Sequence, residues 1–210
     1  MDIVYWDNFY KTNLMYKTPS SFALFVGEQY LKKKKKLIDL GCGNGRDSIF
    51  FNKNYDIVTT GLDQSKIIID ALQHKYENNN LKFIVGDFYK LHLLEDTYDY
   101  VYSRFSLHSV PEEGENCILK FAQHNINPGG YLFIEARSIK DPKLLNSGTK
   151  ISINENIEDN HYRRYIDINN LLEKIKKLGF DIIYTLESNN LSIYKNDNPV
   201  LIRIVAQESR

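Results

Sequence analysis

Short apolar runs alternate with amphipathic stretches along most of the chain, the pattern of a largely parallel sheet covered by helices on both faces. The run 36–40 predicts a first strand that ends in Gly41-Cys42-Gly43-Asn44-Gly45, and a helix follows through Asp47, Ser48, Ile49, Phe50 and Phe51. Positions 57–62 predict a second strand closing at Asp63, after which Ser65 is placed to cap a helix carrying Ile68, Ala71 and Leu72. Strands at 81–85 and 98–103 come next, and a helix holds Ile118, Leu119, Phe121 and Ala122. Asn127-Pro128-Gly129-Gly130 predicts a turn before a fifth strand at 131–136. Leu171, Leu172, Ile175 and Leu178 mark a helix capped by Asp167 or Asn169 and stopped by Gly179. Two strands, 180–186 and 200–205, flank a turn-rich segment and predict a terminal antiparallel hairpin, giving a Rossmann-like α/β sheet.

Two segments break the alternation. Positions 138–160 are polar and aperiodic and predict an insertion, extended to 138–165 by the polar cluster that follows. Positions 1–35 predict a helix preceded by a lid, with Tyr5, Trp6, Phe9 and Tyr10 packing on the domain, covering a site, or both. The five lysines 32–36 are expected to close that helix at its negative dipole end.

Length and composition narrow the function. The chain has 210 residues, room for one domain, 1–210, and 27 basic residues balance 27 acidic ones. No electrostatic footprint draws such a protein to nucleic acid or anionic lipid, so the expected partner is a small molecule. The two cysteines, Cys42 and Cys117, have no metal-ligand spacing, and no metal site is predicted. The first residues do not resemble a secretory leader and no run is long enough to span a bilayer, which predicts a cytoplasmic protein.

Candidate chemistry concentrates at strand ends. The glycines are spaced G-x-G-x-G, unlike the G-x-G-x-x-G of dinucleotide binders, and Asp39 stands two residues before the first. An acid there suits a cationic amino group better than a pyrophosphate. Asp63, at the next strand's end, can accept from both hydroxyls of a ribose. Asp87 and Phe88, closing the third strand, offer a carboxylate to an adenine amino group and an aromatic edge to its ring.

These motifs, from Leu37-Ile38-Asp39-Leu40-Gly41 through Gly61-Leu62-Asp63 and Gly86-Asp87-Phe88 to Asn127-Pro128-Gly129-Gly130, resemble those of class I S-adenosylmethionine-dependent methyltransferases. The resemblance implies a seven-stranded sheet whose last strand is antiparallel. It also implies that Asp39, Gly41 and Gly43 face the methionine end of S-adenosylmethionine, Asp63 the ribose, and Asp87 with Phe88 the adenine. Tyr5, Arg46, Gln64 and Ser103 complete the expected cofactor set.

The acceptor side is expected after strands four and five. His108 is a candidate general base or a packed loop histidine. Glu135 and Arg137 are a candidate base and anion ligand, or a structural pair. His161 is a third candidate base, and Arg104, Tyr162, Arg163 and Arg164 are candidate substrate ligands, the arginines serving equally as surface ion pairs. Peripheral segments, Tyr5-Trp6, Tyr102-Ser103-Arg104-Phe105 with His108, and His161-Tyr162-Arg163-Arg164 among them, resemble bacterial capsule and surface-polysaccharide sugar O-methyltransferases. That resemblance implies a nucleotide-activated sugar, such as a heptose, as acceptor. A small thiol, chalcogen oxyanion or amine is the alternative acceptor, and a non-catalytic cofactor-binding subunit the alternative of another class. Oligomeric state is not predicted.

Overall fold

The computed structural model describes residues 3–12, 18–194 and 196–209; the rest of the predicted N-terminal lid lies outside the described residues. In chain order the elements are α1 (Ile3–Thr12), α2 (Ser21–Tyr30), β1 (Lys36–Leu40), α3 (Arg46–Tyr55), β2 (Val58–Asp63), α4 (Lys66–Tyr76), β3 (Leu81–Val85), β4 (Tyr98–Arg104), α5 (Glu112–Asn125) and β5 (Ile126–Arg137). Then follow α6 (Lys143–Asn146), β6 (Thr149–Ser152), β7 (Glu155–Glu158), β8 (His161–Arg164), α7 (Ile168–Lys177), β9 (Phe180–Ser188) and β10 (Leu201–Glu208).

Seven strands form one sheet in the order β3-β2-β1-β4-β5-β10-β9, and β10 runs antiparallel to both neighbours. The other pairings are parallel. Alternating residues of β1 divide the core: Leu37 packs with Phe22 and Val26 of α2 and Phe51 of α3, while Ile38 and Leu40 pack with α5 and α7. Helices cover both faces, as the alternation predicts.

Caps explain several boundaries. Ser20 accepts from the Ala23 amide at the start of α2, and Asp167 accepts from Asn169 and Asn170 at the start of α7. The lysine run falls beyond α2, in the turn before β1, where Lys34 takes φ +59° and Lys35 pairs with Asp99 at 2.9 Å. The turn predicted at 127–130 is a bulge within β5: Tyr98 pairs with Ile126 and Tyr100 with Tyr131, so the four residues between have no partners on β4.

The larger departure concerns 138–165. Instead of an aperiodic loop, this segment contains α6 and an antiparallel sheet, β6-β7-β8. Its pattern is inverted, with Asn156, His161 and Arg164 buried while Ile151, Ile153 and Ile157 are exposed, so a rule placing apolar residues inside cannot find it. Polar partners hold it instead. The Asn156 amide donates to the carbonyls of Lys143, Leu144 and Ser147, the last at 2.8 Å. Arg164 fastens β8 to α5, donating to Glu115 at 2.5 Å and to the Val110 carbonyl at 3.2 Å, and Lys174 reaches the same carboxylate at 2.6 Å.

Glu115 is 2% exposed, so its removal leaves Arg164 buried and uncompensated. Glu115→Ala is expected to cost about 3 kcal/mol of stability, read from the urea midpoint, with the small sheet losing amide-exchange protection first.

Candidate active site

A cavity of about 370 Å³ opens over the carboxyl ends of β1, β2 and β4, where open α/β sheets hold ligands. The turn after β1 forms its floor. Gly41 and Gly43 take φ +81° and +54°, and their lack of a Cβ is required on a second count. A Cβ on Gly41 would collide with the Ser106 hydroxyl, and one on Gly43 would lie 2.5 Å from that of Tyr10. The Gly41 and Cys42 amides both donate to the Leu62 carbonyl, at 2.8 and 2.9 Å, and the Gly43 amide donates to Asp63 Oδ2 at 3.0 Å.

Three carboxylates stand at this end. Asp39 is buried, accepts from the Ser48 hydroxyl at 2.6 Å, and is pushed up to about 8 by burial and then by repulsion from Asp47. Asp63 accepts from Gly43 and Ser65 amides; burial raises it, and those amides oppose the rise. Asp47 accepts from the amide and hydroxyl of Ser20, both at 2.7 Å, and from the Tyr102 hydroxyl at 2.9 Å, tying α2 and β4 to α3.

These residues fit S-adenosylmethionine. Asp63 retains lone pairs for ribose hydroxyls, and Gln64 at the cavity has a buried Nε2 with no partner among the described residues. Phe88, Arg46 and Tyr5 also line the cavity. Two expected members do not. Asp87 caps the 3₁₀ turn Phe88–Leu93, accepting from the Tyr89 amide. Ser103 is fully buried within β4, whereas Ser106 reaches the cavity and donates to the Leu40 carbonyl at 2.6 Å.

The other end, where the sequence places the acceptor, is walled by Arg104, Phe105, Ser106, His108 and Ser109, by Arg163 of β8, and by Ser192, Ile193, Tyr194 and Asp197 of the connection from β9 to β10. His108 lies there, buried, with its Nδ1 accepting from the Arg137 amide at 3.1 Å. Burial, then Arg163, Arg137, His161 and Arg104, hold it well below the usual histidine range. A neutral ring whose Nδ1 accepts carries its proton on Nε2, so His108 presents a donor and not a free lone pair.

The other candidates separate. Glu135 is fully buried outside the cavity lining, one oxygen taken by Arg104 Nε at 2.9 Å and the other by Arg203 Nε at 2.6 Å. It positions guanidinium groups, and its burial behind them keeps it out of reach of an acceptor in the cavity. Arg137 lines the cavity but is held by Asp141 at 2.6 Å and by Asp197, so its charge is already met. Arg163 also lines it and pairs with Glu158 at 3.0 Å. Tyr162 donates to Glu155 and Arg164 to Glu115; both lie outside the lining. His161 is another correction: it sits behind the lining, fully buried, stacked on Tyr5 at 4.3 Å and edge-on to Trp6 at 4.9 Å.

Sequence reasoning overlooked Asp47, Ser106 and the wall of Ser192, Ile193, Tyr194 and Asp197. Asp47, an acid directly after a glycine turn, was findable. The wall reads only as a turn between strands. Among the described residues no group of His, Cys, Asp and Glu is arranged to hold a metal, and no helix is long and apolar enough to cross a membrane.

Fold, glycine turn and carboxylate set are similar to those of class I S-adenosylmethionine-dependent methyltransferases. Residues 37–130 match the family described as methyltransferase domain. Phosphoethanolamine N-methyltransferase 3 of Arabidopsis thaliana is 30% identical over 122 residues, 56% of this chain and 24% of that protein. The 27-O-demethylrifamycin SV methyltransferase of Amycolatopsis mediterranei is 27% identical over 132 residues, 61% of this chain and 47% of its own length. The chain thus spans between a quarter and a half of these curated relatives. A solved S-adenosylmethionine dependent methyltransferase from Mesorhizobium loti shares the fold, with TM-score 0.68 and 17% identity over 84% of this chain and 92% of that one.

Asp39 gives a prediction with opposite signs. Its folded value lies above its ordinary one, so the stability it contributes at low pH is lost as pH rises from about 4 to about 8. Asp39→Asn should remove that loss, raising stability at pH about 8 relative to pH about 5 in urea titrations. If Asp39 is the acceptor for the ligand's amino group, as the sequence motif implies, the same substitution should weaken S-adenosylhomocysteine about tenfold or more by calorimetry.

Proposed function

We propose that this chain transfers the methyl group of S-adenosylmethionine to a small-molecule acceptor. One observation carries the reading: a single cavity joins the end lined by Asp39, Gly41, Gly43 and Asp63 to a second, walled by Arg104, His108, Arg163, Ile193 and Asp197. When bound, S-adenosylmethionine supplies an electrophilic sulfonium methyl, whose S–CH3 bond breaks as the bond to the acceptor forms. The protein's work is then to align the acceptor's lone pair with that bond and to keep water out.

Neither His108 nor Glu135 is free to take a proton from an acceptor. His108 carries its proton on the nitrogen away from the Arg137 amide, and Glu135 is enclosed by two guanidinium groups. The arrangement favours an acceptor whose lone pair is available without proton removal by the protein: a small amine, thiolate or oxyanion. That the similar Arabidopsis protein is named as a phosphoethanolamine N-methyltransferase agrees with nitrogen as one such atom.

A sugar hydroxyl, including that of a nucleotide-activated sugar, is the second reading. Arg104 and Arg163 favour it by keeping guanidinium groups at the cavity for hydroxyl or phosphate oxygens. Its diphosphate half is weakened because all four arginines, Arg137 and Arg164 included, are paired within the fold and Arg164 lies outside the cavity lining.

Incubation with S-adenosylmethionine and a panel of amines, thiols, oxyanions and sugar nucleotides, read by the mass gain of one methyl, tests these readings. For the first, any pH dependence should follow the acceptor's own ionisation, its proton lost to solvent, with the same profile in His108→Gln, which should keep about a tenth or more of turnover. A limb near neutrality that vanishes in His108→Gln would assign the base to His108 and favour the hydroxyl. Cofactor binding with no turnover on any acceptor would favour a non-catalytic partner subunit.

A further inference from the structure

His161 has a place in the site that its chemistry as a base does not explain. Its ring is fully buried, stacked on Tyr5 at 14° between planes and met edge-on by Trp6 at 76°. Those two rings also pack on each other, 5.2 Å apart, and both line the cavity. The rest of α1 faces the cofactor end. Asp7 accepts from the Ser65 hydroxyl at the head of α4 at 2.5 Å, and the Tyr10 hydroxyl stands over Gly43. β8, which carries His161, brings Arg163 to the acceptor end two residues later.

One turn of α1 therefore touches both halves of the site, and its contact with the acceptor half runs through the His161 ring. At the start of β8 His161 is turned inward and offers a flat, buried surface of the size an aromatic pair needs. An aliphatic residue would offer no face to stack on.

We propose that His161 is a positioning residue that clasps the aromatic helix α1 over the cofactor end, making the cofactor's cover and the acceptor's wall one mechanical unit. The inference rests on the reading that S-adenosylmethionine binds at the glycine turn. Tyr5 and Trp6 keep their places over that turn because the small sheet holds them from behind, and occupancy of the cofactor end is felt at β8.

Trp6 is the chain's single tryptophan, so its fluorescence reports on the clasp with no need for an acceptor. Titration with S-adenosylhomocysteine should change Trp6 emission in the wild type. His161→Phe, which keeps a stacking face, should bind within about twofold of it, while His161→Ala should bind about tenfold more weakly, with red-shifted emission before ligand is added. Tyr5→Leu should show a similar loss, and the double variant should lose no more than either single one, the mark of two residues acting through one contact. Wild-type affinity and emission in His161→Ala, or losses that multiply in the double variant, would overturn the clasp. Should His161→Ala fail to fold, His161→Phe and Tyr5→Leu decide alone: a loss in Phe equal to that in Leu would overturn it. Failure of the wild type to bind S-adenosylhomocysteine would instead sink the cofactor reading beneath it.

Discussion

The turn after β1 is fixed from both sides, and the cavity depends on it. β1 lies between β2 and β4 with its backbone groups committed to the ladder, and at Leu40 the chain must leave the sheet and enter α3 within a few residues. Positive φ at Gly41, Gly43 and Gly45 makes the reversal possible. The end of β2 then sews it down through the Leu62 carbonyl and the Asp63 carboxylate, and from the β4 side Ser106 donates to the Leu40 carbonyl. Asp39 is buried as a consequence, close to Asp47 with Ser48 as its hydrogen-bond donor, and burial together with the neighbouring carboxylate raises its proton affinity.

This half of the molecule was legible because each requirement has a local signature. Strand periodicity, three closely spaced glycines and an acid at a strand end are set by neighbours within a few positions, and β1 and β3 lie at the predicted residues. Partial misses have the same explanation. Asn127-Pro128-Gly129-Gly130 does break the chain's direction, with Gly129 at φ +73°, but pairing on either side of it absorbs the break as a bulge. Asp87 occupies the expected strand end, and a local hydrogen bond to Tyr89 claims one of its oxygens.

The acceptor half was less legible because its determinants are long-range. A paired arginine and an unpaired one read alike in sequence, and the partners here lie far off: Arg104 with Glu135 is 31 positions apart, Arg137 with Asp197 is 60, Glu135 with Arg203 is 68. Burial enforces the pairing, since a charge at 0 to 12% side-chain exposure demands a partner. Residues that resembled ligands are thereby the frame that holds the wall. The small sheet follows the same logic, stabilised by Asn156 and Arg164 and not by its isoleucines.

His108 joins these two halves into a chemical argument. A backbone amide is a donor that cannot become an acceptor, so the bond from Arg137 to Nδ1 settles which nitrogen carries the proton for as long as the ring is neutral. Three nearby arginines and burial oppose the imidazolium, so the ring stays neutral. A histidine so held can donate to an oxygen or orient an acceptor, but it has no empty lone pair for a departing proton. Neither His108 nor Glu135 is then placed to abstract a proton, which leaves alignment and exclusion of water as what these residues can contribute. The aromatic residues of α1, set over the glycine turn and backed by His161, supply a cover suited to both.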